Sequence, residues 1–143
     1  MRFIKASSIL VLLMMGLGCA STTEVQLEPA ADLNPNAKGE ATSLEIRIYK
    51  LKRQDRFNGA EFRQLWEEEK KVLEDDLVES EQVTLFPGKP VKHKIVITED
   101  VRFVGIMGCF NKEEQGWKKV LDKDKFEDFK YQFSGYKITA IPD

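Results

Sequence analysis

Few residues in this sequence could carry covalent or acid–base chemistry. The chain of 143 residues contains two cysteines, Cys19 and Cys109, and a single histidine, His93. A zinc site needs about four ligands, and a hydrolytic triad needs a histidine beside its nucleophile. His93 shares one face of a predicted strand with Val91 and Ile95, which favours packing over a role as a ligand. We therefore predict no enzyme activity, no metal and no cofactor.

The 24 acidic residues include no catalytic or metal-binding pair that stands out by its spacing. Residues 67–69 and 75–76 fall on a predicted helix with interspersed lysines, which is typical of a solvated face. The acidic group at 122–128 lacks the glycine and the ligand spacing of an EF-hand loop. The net charge of −2 gives no reason to expect a nucleic acid as partner.

Cys19 follows a segment with the composition of a secretory signal. Arg2 and Lys5 precede an apolar run at 9–15, and small residues at 16–18 lead to the cysteine. The apolar run is shorter than the roughly 20 residues of a membrane span. The arrangement resembles a bacterial lipobox, although Gly16 stands where leucine is usual. It predicts a signal peptide at 1–18 and covalent diacylglycerol and N-acyl chains on Cys19.

Two further expectations follow from the lipobox pattern. Ala20 stands where an aspartate is associated with inner-membrane retention, so we expect anchoring at the outer membrane, on its periplasmic face. Residues 19–24 are then a lipidated tether, and residues 25–143 form a single domain. The same segment also fits an ordinary cleaved signal with an incidental cysteine nearby.

The remaining pattern predicts a mainly β protein. Leu44–Leu51 alternates apolar and polar residues as a half-buried strand does, and similar stretches follow at 83–85, 91–97, 117–121 and 136–141. Residues 101–110 are apolar on both faces, which indicates a central strand containing a buried Cys109. Gly105 and Gly108 in this strand are expected to allow close approach of neighbouring elements or a bulge. Helical spacing occupies about 58–77, with Asn58 and Glu61 as a capping box. We expect a β-sandwich with a helical insertion between the second and third strands.

Two segments leave alternatives open. Residues 28–42 are rich in proline, asparagine and glycine and are predicted to form a loop after a short strand at 25–27. Leu33 in that loop either tucks into the edge of the domain or is presented to a partner. Phe126, Phe129 and Phe133 have the spacing of a helical turn, with Asp122 or Asp124 as its cap.

A set of sequence features, in a defined order, is spread along most of the predicted mature chain. It comprises residues 32–35 with Gly39, the strand Leu44–Leu51, Phe57, residues 62–65, residues 76–77, the pair at 87–88, residues 104–106 and Trp117. This set resembles the outer-membrane lipoprotein family of type VI secretion systems (TssJ, SciN-like). Residues 123–133 have no counterpart in the resemblance.

The resemblance implies a fold, a role and a site. The fold is a small transthyretin-like β-sandwich, and the role is a structural component of the trans-envelope complex. The loop between the first two strands is expected to bind the periplasmic part of the inner-membrane partner, a TssM-like protein. By position that loop consists of Asp32, Leu33, Asn34, Pro35, Asn36, Ala37, Lys38 and Gly39.

Two other classes of function stay open at this point. One is a periplasmic lipoprotein that carries or senses a small ligand, which needs an apolar cavity inside the sandwich. The other is an enzyme or inhibitor tethered to the envelope, which needs a cleft with perturbed carboxylates.

Overall fold

The computed structural model describes residues 19–143, so the expected signal peptide at 1–18 lies outside the described part. The strands are β1 (Ser21–Leu33), β2 (Leu44–Leu51), β3 (Leu77–Leu85), β4 (Val91–Ile97), β5 (Phe103–Gly108), β6 (Lys118–Asp122), β7 (Phe129–Gly135) and β8 (Lys137–Pro142). The helices are α1 (Asp55–Gly59), α2 (Phe62–Leu73) and α3 (Lys123–Phe126), and a single 3₁₀ turn covers Glu74–Asp76. No helix within residues 19–143 is long and apolar enough to cross a membrane.

The described strands form two sheets of four that pack face to face. The first sheet has the order β4-β1-β7-β8 and the second has the order β3-β2-β5-β6. Neighbouring strands are antiparallel, except that β1 and β7 run parallel. Helices α1 and α2 lie between β2 and β3 in the chain. The predicted mainly β sandwich with a helical insertion between the second and third strands is therefore confirmed.

The core between the sheets follows from the alternation in β2. Leu44, Ile46 and Ile48 point toward the first sheet and are fully buried, as predicted. Burying an aliphatic side chain of this size contributes about 1.5–3 kcal/mol. The opposite face of β2 is covered by α1 and α2, which pack on Tyr49 and Leu51 to form a second apolar cluster.

Gly105 on β5 lets α1 approach the second sheet closely. A Cβ atom at Gly105 would lie 2.8 Å from Cζ of Phe57, closer than side-chain atoms pack. The phenyl ring of Phe57 is fully buried there and tilts against Tyr49, with ring centroids 5.3 Å apart. The glycine predicted to allow close approach therefore determines how the helical insertion sits.

Strand β1 is longer than the sequence predicted. The expected loop from residue 28 is extended up to Leu33, because this part of β1 pairs with β7. Pro29 lies beyond Leu27, the last residue of β1 that pairs with β4, and at a register shift in the pairing with β7. A proline without an N–H group is tolerated at such an irregularity, so it does not end the strand.

Two other predictions need correction. The phenylalanine spacing predicted a helical turn through Phe133, but α3 ends at Phe126, and Phe129 and Phe133 belong to β7. Phe129 and Phe133 are also spaced for one face of a strand, which has a period of two. This segment forms a strand because it pairs with β1 and β8. The capping box of α2 uses Glu61 and Gln64 in place of Asn58 and Glu61.

Candidate functional site

The two sequence-predicted functional elements lie at opposite ends of β1. Cys19 is exposed and stands two residues before the strand, and its backbone N–H donates to Oε1 of Glu99 at 3.3 Å. Ser21 already pairs with Ile97, so the tether predicted for 19–24 is limited to Cys19 and Ala20. The 13 residues of β1 at about 3.3 Å per residue separate Cys19 from the β1–β2 loop by roughly 40 Å.

The first two residues of the predicted loop belong to β1. Leu33 is fully buried in the core between the sheets, so the interpretation that presents it to a partner is wrong for this conformation. Burial of this apolar side chain in the core is favourable, because it removes apolar surface from water. Asp32 is exposed and accepts hydrogen bonds from the hydroxyl of Ser134 at 3.0 and 3.1 Å.

Asn34 turns the chain out of the strand. Its φ of 44° lies in the left-handed region, which asparagine tolerates better than most residues. Its backbone N–H donates to the carbonyl of Gly135 at 2.9 Å, and its side-chain Nδ2 donates to the carbonyl of Ser43 at 2.9 Å. Oδ1 of Asn34 accepts from the backbone N–H of Asn111 at 2.7 Å. The buried Asn34 is therefore held by two hydrogen bonds of its side chain and one of its backbone N–H group.

Asn36 shapes the tip of the loop. Its Oδ1 accepts from the backbone N–H groups of Lys38 at 2.9 Å and Glu40 at 3.0 Å, which closes an Asx turn. Gly39 has a φ of 77° and donates its N–H to the carbonyl of Asn36 at 2.9 Å. The tip therefore holds its shape through bonds made within five residues.

The exposed part of the loop is small and mixed in charge. The side chains that face solvent are those of Ala37, Lys38, Glu40 and Ala41, with Gly39 between them. This set contains no nucleophile and no acid–base pair. A short surface with one cation, one anion and a fixed backbone suits recognition, because little conformational freedom is left to lose on binding.

Two residues that sequence reasoning did not single out brace this loop. Nδ2 of Asn111 lies 3.2 Å from the carbonyl oxygen of Asn34 and 3.2 Å from Oγ1 of Thr42. The hydroxyl of Tyr136 donates to the carbonyl of Pro35 at 2.9 Å. Asn111 and Tyr136 are 77 and 101 residues away from their partners in the chain, so no local pattern could reveal these contacts.

The remaining candidate residues have structural roles. His93 on β4 contacts Glu81 on β3 and so joins the edges of the two sheets. Lys50 on β2 donates to Glu79 on the neighbouring strand β3 at 2.8 Å, within the second sheet. Cys109 is a half-buried free thiol, and burial raises its pKa to about 12. A thiol with this pKa is almost entirely protonated near neutral pH and is a poor nucleophile.

The acidic residues do not assemble into a site. Within residues 19–143 no group of three or more histidine, cysteine or acidic side chains could hold a metal ion. Asp122 instead accepts from the backbone N–H of Asp124 at 2.9 Å and so caps α3, as the sequence predicted. An opening of about 620 Å³ lies on the surface between α2 and β3, and it is lined by Glu69, Lys70, Glu74, Leu77, Val78, Glu79 and Ser80. This charged surface opening is unlike the apolar interior cavity that a ligand carrier needs.

The chain is similar in sequence and in fold to proteins of type VI secretion systems. Residues 21–135 match the family model described as "Type VI secretion lipoprotein, VasD, EvfM, TssJ, VC_A0113". No curated protein matches the sequence. The lipoprotein TssJ1 of Pseudomonas aeruginosa is similar in structure, with a TM-score of 0.74 and 27% identity over 87% of this chain and 99% of that chain.

Two further solved structures contain chains with the same fold. A chain from a structure described as "Type VI membrane complex" has a TM-score of 0.79 and 26% identity, covering 85% of this chain and 98% of its own. A chain from "T6SS protein TssM C-terminal domain (869-1107) from EAEC" has a TM-score of 0.76 and 25% identity, also over 85% and 98%.

Proposed function

The chain belongs to the type VI secretion lipoprotein family, and from that premise we propose that it anchors the trans-envelope complex of the secretion machine to the outer membrane. Members of this family are structural components of the secretion machine, so the chain is not an enzyme. In the proposed arrangement, a lipidated Cys19 lies at one end of β1. The loop at 32–39 lies at the other end and binds the inner-membrane partner.

The exposure of Cys19 supports the lipid anchor. A diacylglycerol group and an N-acyl chain on this residue would each bury apolar chain at about 0.8 kcal/mol per CH₂ group, and several chains together hold a domain stably. Only Ala20 separates the anchor from the first paired residue, Ser21. The domain would therefore sit directly on the periplasmic face of the membrane, with its β1–β2 loop directed away from the attachment point.

The matched structures support a TssM-like protein as the partner. One of these structures is named for residues 869–1107 of TssM, but the chain in it that matches here is shorter than that range. Its length follows from the alignment, in which 85% of this 143-residue chain covers 98% of the matched chain. A separate chain with this fold therefore accompanies the TssM domain there. By analogy, the partner here is the periplasmic domain of the TssM-like protein from the same secretion system.

The single observation that carries the proposed site is the fixed shape of the loop tip. Asn36 closes the turn, and Asn34 ties the base of the loop to Gly135, Ser43 and Asn111. A preorganised loop loses less entropy on binding than a mobile one, so a small exposed surface can still contribute affinity. The contacts would come from residues 37–41, since Leu33 is buried in the core.

The test measures binding of the mature chain to the purified periplasmic domain of the TssM-like protein. The double variant Ala37→Asp, Lys38→Glu changes the net charge of the tip, which contains Lys38 and Glu40, from 0 to −3 without touching a buried residue. We expect binding at least tenfold weaker, which corresponds to about 1.4 kcal/mol, with an unchanged melting temperature. Lys119→Glu on β6 is the matched control, because it reverses an exposed lysine outside the loop. Equal affinity of the tip variant and the control would exclude the loop as the binding site.

A further inference from the structure

We propose that Asn111, in the segment between β5 and β6, is a positioning residue that holds the β1–β2 loop in its binding conformation. The proposal rests on the proposed function, because it concerns the same partner-binding loop. It assigns a role to a residue outside the loop and outside the sequence-predicted site.

The contacts of Asn111 reach both sides of the loop. Nδ2 of its side chain lies 3.2 Å from the carbonyl oxygen of Asn34 and 3.4 Å from that of Pro35, where the loop leaves β1. The same Nδ2 lies 3.2 Å from Oγ1 of Thr42, where the loop returns toward β2. We call residues 34–35 and Thr42, where the loop leaves β1 and returns toward β2, the two stems of the loop. One side-chain amide therefore bridges the two stems.

The support for Asn111 comes from the second sheet. Cys109, two residues before Asn111, donates its backbone N–H to the carbonyl of Glu45 on β2 at 2.9 Å, so the chain directly after β5 is fixed to the domain. The backbone N–H of Asn111 in turn donates to Oδ1 of Asn34 at 2.7 Å. Asn111 thus connects the β1–β2 loop, which begins at the end of a strand of the first sheet, to the second sheet.

The tip and the stems of the loop are held in different ways. Local bonds around Asn36 preserve the shape of the tip, but they do not fix its direction relative to the sandwich. The direction depends on the stems: the side chains of Asn34 and Thr42 bond them to each other, and Asn111 contacts both of them from outside the loop. If it is lost, only a fraction of molecules hold the loop in the binding direction, and apparent affinity falls in proportion to that fraction.

The variant Asn111→Asp tests this role because it keeps the size of the side chain and removes its N–H donors. We expect binding to the periplasmic domain of the TssM-like protein to weaken by about tenfold. In the free protein we expect faster hydrogen exchange at the amides of Asn34 and Thr42, with the melting temperature changed by only a few degrees. Unchanged affinity or unchanged exchange would overturn the proposal.

Two further variants separate positioning from direct contact. Gln115→Ala changes an exposed residue of the same segment, and we expect it to bind like the wild type. Equal weakening by Gln115→Ala, without faster exchange in Asn111→Asp, would mean that the segment itself touches the partner, and the positioning role would be wrong. The double variant Asn111→Asp, Thr42→Val should weaken binding less than the sum of the single effects, because both act on one bridge.

The tip variant Ala37→Asp, Lys38→Glu is measured in the same assay. If it binds like the wild type, the proposed binding site fails, while the exchange rates in the free protein still decide whether Asn111 holds the loop. If the tip variant loses affinity and Asn111→Asp does not, only the positioning role fails.

Discussion

The two ends of β1 are built in different ways. At its beginning, Cys19 is exposed and its backbone N–H donates to Glu99, and the paired strand starts two residues later. At its end, the chain passes from the fully buried Leu33 into a loop that is braced by Asn111 and Tyr136. One end offers an accessible atom, and the other offers a fixed surface.

The difference matches what each end is proposed to do. A lipid anchor needs a reachable thiol and no particular shape, since acyl burial is non-directional. Recognition of a protein partner needs a defined shape, because disorder in the free loop reduces affinity. We therefore expect the loss of the Cys19 thiol to alter location alone, and changes to the buried residues at the end of β1 to alter stability and binding together.

The largest expected effect is the loss of membrane attachment in Cys19→Ser. The hydroxyl cannot replace the thiol as the site of thioether-linked acylation, so the variant should be recovered almost entirely in the soluble periplasmic fraction. Its melting temperature should equal that of the unacylated mature chain, because the side chain at position 19 is exposed. Retention of Cys19→Ser in the outer membrane would show that another feature attaches the domain.

Leu33→Ala should have the largest effect on stability at the other end of the strand. Truncating a fully buried leucine costs about 2–5 kcal/mol, since the lost contacts leave a cavity. Denaturant unfolding of the mature chain measures this loss. Ala37→Ser at the exposed tip is the matched control and should change the free energy of unfolding by less than about 0.5 kcal/mol. Equal effects of the two variants would contradict the division between core and tip.

The sequence was sufficient for the features that depend on local pattern. The period-two alternation of Leu44–Leu51 located β2 with its bounds, and helical spacing at about 58–77 located α2, although not α1, which begins at Asp55. Gly105 was expected to allow close approach, and it does so against Phe57. Each of these follows from steric and hydrophobic rules that act over a few residues.

The rest depends on contacts between distant parts of the chain. Pro29 indicated a loop by its local preference, but pairing with β7 keeps that part of β1 extended. The bridge from Asn111 to Asn34 and Thr42 forms only because β5 pairs with β2, which places the two loops side by side. The sequence therefore located the candidate loop but not the residues that hold it, and it left the burial of Leu33 as one of two alternatives, which the structure confirms.

Asn34→Ala should give a smaller loss of stability than Leu33→Ala. The left-handed backbone at this position costs alanine about 1–2 kcal/mol, and the backbone N–H of Asn111 loses its acceptor. Asn34→Gly removes the same side-chain bonds without the backbone cost, so it should be the milder change. Chemical denaturation of both variants separates the two contributions. A glycine variant as unstable as the alanine variant would assign the whole effect to the lost hydrogen bonds.

A flexible insertion between Ala20 and Ser21 should have the smallest effect on the domain itself. It tests most directly whether β1 sets the distance between the lipid anchor and the loop. Ten glycine and serine residues would add a mean reach of roughly 17 Å without altering any strand pairing, so melting and binding in solution should stay the same. On vesicles or in cells, the lipidated chain should capture the partner severalfold less efficiently, because the loop explores a larger volume at lower effective concentration. Capture as efficient as that of the wild type would mean that the short connection between Cys19 and β1 does not set the position of the loop. The two ends of the strand would then act independently.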